Sequence, residues 1–223
     1  MQIKLTDKNS YLTPTLFKNL KMKKKELEIF LQKIPTFEKP KPELEQYTTP
    51  AEIAADIIFI AFQFGDIENK RILDLGCGTG IFSFGAAITG AKKVIGIDID
   101  KNAIKNAKGF AKKINFEINF KIQNIKDVQT ICDTVIMNPP FGAQKSNLKA
   151  DRKFIEKGFE LSKVIYSIHL SKTIPFIEKM ISSLDGSIDF SKKYSFKMKH
   201  SLDFHEKKMK IFDVTLLRIL TKR

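Results

Sequence analysis

Asn138-Pro139-Pro140-Phe141 closes the apolar run Asp133-Thr134-Val135-Ile136-Met137 and is followed by Gly142. A run of that kind reads as a buried strand, and the prolines end it. The sequence thereby sets an amide, a rigid backbone and an aromatic ring at the tip of a strand. The Asn138 amide oxygen and the Pro139 carbonyl are two acceptors, enough to hold both N–H bonds of a planar exocyclic amine. Phe141 can stack on the base that carries the amine, across the stiff Pro139-Pro140 turn. The chemistry this suits is methyl transfer to a nucleobase or amide nitrogen. A plain strand-ending turn uses the same dipeptide, so the rest of the chain must decide.

A second constellation is Asp74-Leu75-Gly76-Cys77-Gly78-Thr79-Gly80-Ile81, which ends one strand and opens a helix. Its glycines permit a tight turn and close backbone approach to a ligand. Dinucleotide enzymes use similar loops. Asp74 stands ahead of the glycines, where a carboxylate suits a cationic α-amino group and disfavours a pyrophosphate. Asp98, eighteen residues past Gly80, ends the next strand in Gly96-Ile97-Asp98-Ile99-Asp100. An acid there can accept both hydroxyls of a ribose. NAD would meet the same acid, and a helix cap would also use one, so Asp98 alone does not separate these cases. Strand three is expected to end near Asn124, whose amide could read the edge of an adenine.

These residues need a frame that brings strand ends together. Strands are expected at Arg71–Leu75, Lys93–Asp98, Phe116–Gln123, Thr134–Met137, Val164–Ile168, Ser187–Phe196 and Ile211–Leu220. Helices are expected at Ile81–Thr89, Lys101–Lys113, Arg152–Leu161 and Ser171–Ser183. Strands alternating with helices imply βαβ units and a mostly parallel sheet. The last two strands have no helix between them, which implies an antiparallel edge hairpin. The expected fold is α/β, Rossmann-like, with a mostly parallel seven-stranded sheet and helices on both faces. In such a sheet ligands bind at the carboxyl ends of the strands, near the topological switch point. Ahead of this domain (43–223) stands a basic extension (1–42), loosely ordered over 1–17, with an amphipathic helix from Lys18 to Lys33. Pro35, Pro40 and Pro42 form an extended link. Thr49 is expected to cap a helix that begins at Pro50 and runs to about Phe64.

Composition narrows the class. The 223 residues are 43% hydrophobic, enough for one sizeable core. No run of eighteen apolar residues and no signal peptide stand out, so a soluble, cytoplasmic protein without membrane contact is expected. Cys77 and Cys132 have no CxxC partner, and the three histidines lack metal-ligand spacing, so neither a disulfide framework nor a metal site is expected. His169, at a strand end near the site, reads as structural; His200 and His205 read as exposed. Net charge is +14, with pI near 9.6, which favours a polyanionic partner. Residues 192–223 carry ten Lys or Arg and three acids, a net of +7, and Lys-Met-Lys-Lys-Lys stands at 21–25.

Taken together, Asp-Leu-Gly-Cys-Gly-Thr-Gly, Asp98 and Asn-Pro-Pro-Phe resemble the class I S-adenosylmethionine-dependent N-methyltransferases. Further segments resemble one family among them, the archaeal and eukaryotic methyltransferase-like enzymes making N6-methyladenosine in small-subunit ribosomal RNA. Those segments are Phe37–Lys41, Glu45–Pro50, Asp133–Gly142, Tyr166–His169 and Phe204–Lys208, and the likeness spans about residues 19–220. The resemblance implies S-adenosylmethionine as cofactor and RNA as partner. It implies that Gln46 and Thr49 close over the methionine end, and that Asp74, Gly76, Cys77, Gly78, Thr79, Gly80 and Ile81 form the loop. It also implies that Asp98 holds the ribose and that Asn138, Pro139, Pro140 and Phe141 hold the target adenine. The family often has an acid where Asn124 stands; an Asn can still accept from the adenine amine and donate to N1. Eukaryotic members work with a small zinc-containing activator subunit, so a similar partner is conceivable here. Two other functions remain open on the residues alone: a protein glutamine N-methyltransferase, which shares Asn-Pro-Pro, and a non-catalytic RNA-binding subunit. A DNA adenine methyltransferase fits less well, since no added target-recognition domain is evident.

Overall fold

The computed structural model describes residues 23–141, 150–199 and 209–223. Seven strands form one sheet: β1 (Arg71–Leu75), β2 (Lys93–Asp98), β3 (Asn119–Ile122), β4 (Thr134–Met137), β5 (Val164–Leu170), β6 (Ser187–Lys199) and β7 (Met209–Leu220). Their order is β3-β2-β1-β4-β5-β7-β6. The first five run parallel, and β7 lies antiparallel between β5 and β6. The helices are α1 (Lys24–Leu31), α2 (Ala51–Gln63), α3 (Ile81–Ile88), α4 (Lys101–Lys113), α5 (Ala150–Leu161) and α6 (Ile174–Ser183). The expected α/β architecture with its antiparallel edge pair is present.

The period of two along each strand divides the core. Ile72, Val94 and Ile136 face a cluster with α1, α2, α3 and α4, while Leu73, Leu75, Ile97, Val135 and Met137 face the α5 and α6 side. With both faces covered, the strands read as unbroken apolar runs. β7 is covered the same way: Val214 and Leu216 join the first cluster, Leu217 and Ile219 the second. Arg218 interrupts it and is paid for by a buried network. Its Nε lies 2.8 Å from Asp66 Oδ2 and 3.0 Å from the Tyr166 hydroxyl, and its guanidinium covers the Phe64 ring. Leu27 and Leu31 of α1 are buried in the same core as α2, so the described part of the N-terminal segment packs as an integral layer. Asp56 ties it down, accepting from Lys24 Nζ at 2.9 Å, Lys192 Nζ at 2.5 Å and the Tyr194 hydroxyl at 2.7 Å.

Several boundaries differ from expectation for local reasons. Thr49 does not cap α2; Pro50 occupies the cap position, with no side-chain cap bond, because the Thr49 hydroxyl is engaged elsewhere. The proline link tightens into a single 3-10 turn at Pro42–Leu44, followed by Glu45 in the left-handed region (φ 49°). β3 shrinks to four residues, since Phe116 packs inward from the turn after α4. The helix expected over Ser171–Ser183 splits into a 3-10 turn at Ser171–Thr173 and α6, with Pro175 in the first helical turn. β5 extends to Leu170, which buries His169 inside the strand. Residues 1–22, His200, His205 and the Phe204–Lys208 segment lie outside the described residues. Among the described residues no helix is long and apolar enough to cross a membrane, and no group of acids, histidines and cysteines could hold a metal.

Candidate active site

Strand register assembles the site. Leu75 of β1 pairs with Ile97 of β2 on one side and with Met137 of β4 on the other. The next residue of each strand therefore brings Gly76, Asp98 and Asn138 side by side at the carboxyl end of the sheet. The strand order reverses between β1 and β4, so this is the switch-point crevice.

Backbone geometry builds the cofactor side. Gly76 N–H and Cys77 N–H both donate to the Ile97 carbonyl, at 2.8 and 2.9 Å, pinning the loop to β2. Asp98 then spans the loop and the next helix: Oδ2 accepts from Gly78 N–H at 2.8 Å, and Oδ1 from Asp100 N–H at 2.9 Å. Gly78 has φ 54°, and a Cβ there would stand 2.8 Å from the Phe37 ring, so a larger residue would be strained and would have to displace that ring. Burial pushes the Asp98 carboxyl above its usual range, against the two backbone donors that favour the charged form.

Asp74 belongs to this loop in a different way from the one expected. Strand alternation turns its side chain toward α3. There Oδ2 accepts from Ser83 N–H at 2.9 Å and from the Ser83 hydroxyl at 2.6 Å. Asp74 is fully buried and lines neither part of the cleft. Burial pushes its carboxyl up to about 7 despite the Ser83 bonds. These bonds fasten the start of α3 beneath the glycines.

Remote segments build the acceptor side. Asn138 Nδ2 donates to Thr49 Oγ1 at 3.0 Å, and Asn138 Oδ1 accepts from the Tyr47 hydroxyl at 3.2 Å. The amide is held at both ends by the segment ahead of α2. Burial raises the Tyr47 phenol well above its ordinary value, so it stays protonated as a donor. The Tyr47 ring packs on Phe141, with centroids 5.1 Å apart. That segment is strapped to α4: Asp100 accepts from Lys41 Nζ at 2.8 Å and from Gln46 Nε2 at 2.7 Å. Burial alone would raise the Asp100 carboxyl, but the Gln46 and Lys41 bonds outweigh it and hold it below the usual range.

The result is a cleft of about 290 Å³ between the strap and the strand ends. Among the expected residues, Gln46, Gly76, Gly78, Asp98, Asn124, Asn138 and Pro140 line it. Thr49, Cys77, Thr79 and Ile81 line a smaller recess that shares Phe37, Tyr47, Gly76, Gly78 and Asn138 with the cleft. Gly80, Pro139 and Phe141 line neither. Gln46 sits on Asp100, two residues from Asp98, apart from the Thr49 recess. Asn124 accepts from Lys126 N–H at 3.1 Å and caps the 3-10 turn Ile125–Asp127, which fixes its amide at the cleft rim.

His169 plays no part here. Its Nε2 is 2.7 Å from Ser167 Oγ, and burial lowers it to about 3, which keeps it neutral. Residues missed by sequence reasoning are Phe37, Tyr47, Ile99, Gln123, Lys153 and Phe154, all lining the cleft. Ile99, Gln123 and Tyr47 had a local signal, as neighbours of Asp98, Asn124 and Gln46, and Phe37 stands in a segment that carried the family resemblance. The others reach the site through tertiary packing; a Cβ on Gly76 would stand 3.0 Å from Phe154, which marks how closely α5 covers the loop.

The donor set fits an adenosyl-sulfonium cofactor. Ile99, Ile125 and Phe154 give apolar walls for a base, and Gln123 and Asn124 give amides for its edge. Asp98 gives carboxylate oxygens for ribose hydroxyls, and Gly76 and Gly78 let the chain approach closely.

Comparison with known proteins agrees. Residues 66–181 match the family model described as a methyltransferase domain. Over 210 residues the chain is 37% identical to the rRNA N(6)-adenosine-methyltransferase METTL5 of Danio rerio, covering 88% of this chain and 98% of that protein. Over 212 residues it is 32% identical to Mettl5 of Drosophila melanogaster, also an rRNA N(6)-adenosine-methyltransferase, covering 89% and 96%. The crystal structure of a candidate RNA methyltransferase from Pyrococcus horikoshii superposes with a TM-score of 0.83 at 36% identity, covering 91% of this chain and 99% of that one. With the glycine loop, Asp98 and Asn138 gathered at one switch point, the chain belongs to the methyltransferase domain family, beside the METTL5 proteins, and is an S-adenosylmethionine-dependent methyltransferase.

Proposed function

We propose that this enzyme methylates the exocyclic N6 of an adenosine in small-subunit ribosomal RNA. The observation that carries the reading is the position of Asn138: it walls both the cleft and the recess, one strand away from the glycine loop. The rRNA N(6)-adenosine-methyltransferase activity by which the METTL5 relatives are named supports adenosine and ribosomal RNA.

Bound S-adenosylmethionine supplies a sulfonium methyl already activated for in-line attack. The protein's task is to position and polarise. Gly76 to Ile81, Asp98 and Asn124 would hold the cofactor, with Gln46 and Thr49 closing from the strap. Adenine N6 is a weak nucleophile because its lone pair is delocalised into the ring. Asn138 Oδ1 keeps a second lone pair beside the one Tyr47 uses, and with the Pro139 carbonyl it would accept the two N–H bonds. Those acceptors favour a pyramidal nitrogen and stabilise the positive charge that develops on it. No strong base is needed, since the proton becomes acidic only after transfer. The target base must lie in a loop or leave its helix to enter. A stack on the Phe141–Tyr47 aromatic pair would return ~1–3 kcal/mol of that cost. Work on ribosomal subunits implies a cytoplasmic site of action, and a small zinc-containing activator subunit belongs to the proposal as a partner.

The test is a radiolabelled methyl-transfer assay on small-subunit ribosomal RNA from a strain lacking this protein, with and without a zinc-containing activator. Nucleoside analysis should place the label in N6-methyladenosine. Label in another nucleoside would refute the base, and label in protein glutamine would refute the substrate class.

A further inference from the structure

Helix α4, Lys-Asn-Ala-Ile-Lys-Asn-Ala-Lys-Gly-Phe-Ala-Lys-Lys, is the one described helix with several lysines and no acid. Its apolar residues Ala103, Ile104, Ala107 and Ala111 are buried, and Asp100 caps its start by accepting from Asn102 N–H at 3.1 Å. Lys101, Lys105, Lys108 and Lys112 follow at spacings of four, three and four, which puts them within about 60° of one another around the helix. All four are exposed. Among the described residues none of them forms an ion pair or a side-chain hydrogen bond. On the other described helices Lys25 is matched with Glu28, Lys24 with Asp56 and Lys157 with Glu160, and the remaining lysines, Lys153 and Lys179, stand singly on helices that also carry acids.

An unmatched row of this kind works against its own helix. Like charges four residues apart repel, and Lys101 at the first turn opposes the helix dipole. Asp100, the acid next to Lys101 in the chain, is already engaged by Lys41 and Gln46. The row starts two residues after Ile99, a wall of the cleft, and runs about 16 Å away from it along the helix axis. The Cβ atoms of neighbouring lysines stand about 5–6 Å apart. A line of cations with that spacing, leading away from the rim of the cleft, complements a line of phosphates.

We infer that the lysine row of α4 is a docking surface for an RNA backbone, which it guides toward the cleft. The inference rests on the RNA reading above and adds the surface that engages the substrate outside the pocket. Backbone contacts of this type give affinity and register without sequence choice, and binding releases counterions.

The test replaces Lys101, Lys105, Lys108 and Lys112 by Gln together, with single Lys105→Gln and Lys112→Gln variants beside them. Gln keeps helix propensity, so far-UV circular dichroism and cofactor affinity should not change. Binding of a fluorescein-labelled fragment of small-subunit ribosomal RNA is followed over a salt series. Each lost lysine should flatten the slope of log affinity against log salt by about 0.7–0.9, so the fourfold variant should flatten it by about 3. Arg at the four positions should restore the slope. A fourfold variant that binds with the parental slope would overturn the inference while leaving the RNA reading intact. A parent that binds the RNA with no salt dependence would overturn the RNA reading itself. Anionic phosphatidylglycerol vesicles serve as the competing surface. Parent binding to vesicles in preference to RNA, lost in the variant, would reassign the row to a lipid surface.

Discussion

The two sides of the cleft are built by opposite means. The centre of the proposed cofactor side, the glycine loop and Asp98, comes from one stretch of chain folded as loop, helix and strand, with Gln123 to Ile125 and Phe154 completing it from beyond. Its contacts are largely backbone: Gly76 and Cys77 on the Ile97 carbonyl, Gly78 on Asp98. The acceptor side joins Tyr47 and Thr49 to Asn138 across 91 and 89 positions, side chain to side chain. The first construction depends on backbone freedom at the glycines and on one carboxylate, Asp98. The second depends on each hydroxyl and amide being present. One side should therefore fail in binding, the other in turnover.

The largest break expected is Asn138→Ala. If the amide oxygen stabilises charge on the attacked nitrogen, kcat should fall by about 100–1000-fold. Cofactor affinity, read by calorimetry, should stay near that of the parent; a matching loss of cofactor binding would erase the division between the two sides. Asp98→Ala is the complementary case. Loss of a charged acceptor should weaken cofactor binding by about 10–100-fold. Once cofactor saturates, kcat should recover, and a kcat that stays low would mean that Asp98 serves the acceptor side as well. The smallest effect sharpens the picture. Tyr47→Phe removes one hydroxyl and keeps the ring on Phe141, so kcat should drop about threefold to tenfold. An RNA KM that changes instead would make Tyr47 a substrate contact and not a support for the amide.

The same contrast explains what could be read from residues alone. The glycine loop, Asp98 and the alternation of strands and helices are local signals, set by φ freedom and by periods of 2 and 3.6. Asn138 was legible because prolines end a strand abruptly. Its orientation was not, because Tyr47 and Thr49 sit far away in the chain. Asp74 shows a finer point about orientation. Its place ahead of the glycines suggested a ligand contact, but a strand residue faces whichever side the pleat dictates, and here that side is α3. Thr49 failed as a cap for a related reason: its hydroxyl has a better use on Asn138 than on the turn of α2.

The sequence by itself determined the parallel sheet, the edge hairpin, the cofactor loop and the acceptor motif, since each is encoded by neighbours in the chain. Tertiary structure alone decided that α1 would join the core and that a strap from Lys41 to Thr49 would close the cleft. It alone decided that Phe37, Lys153 and Phe154 would line that cleft. Those outcomes depend on side chains distant in sequence meeting within hydrogen-bond or van der Waals reach. Such distances follow from how strands register and helices pack, which no local pattern specifies.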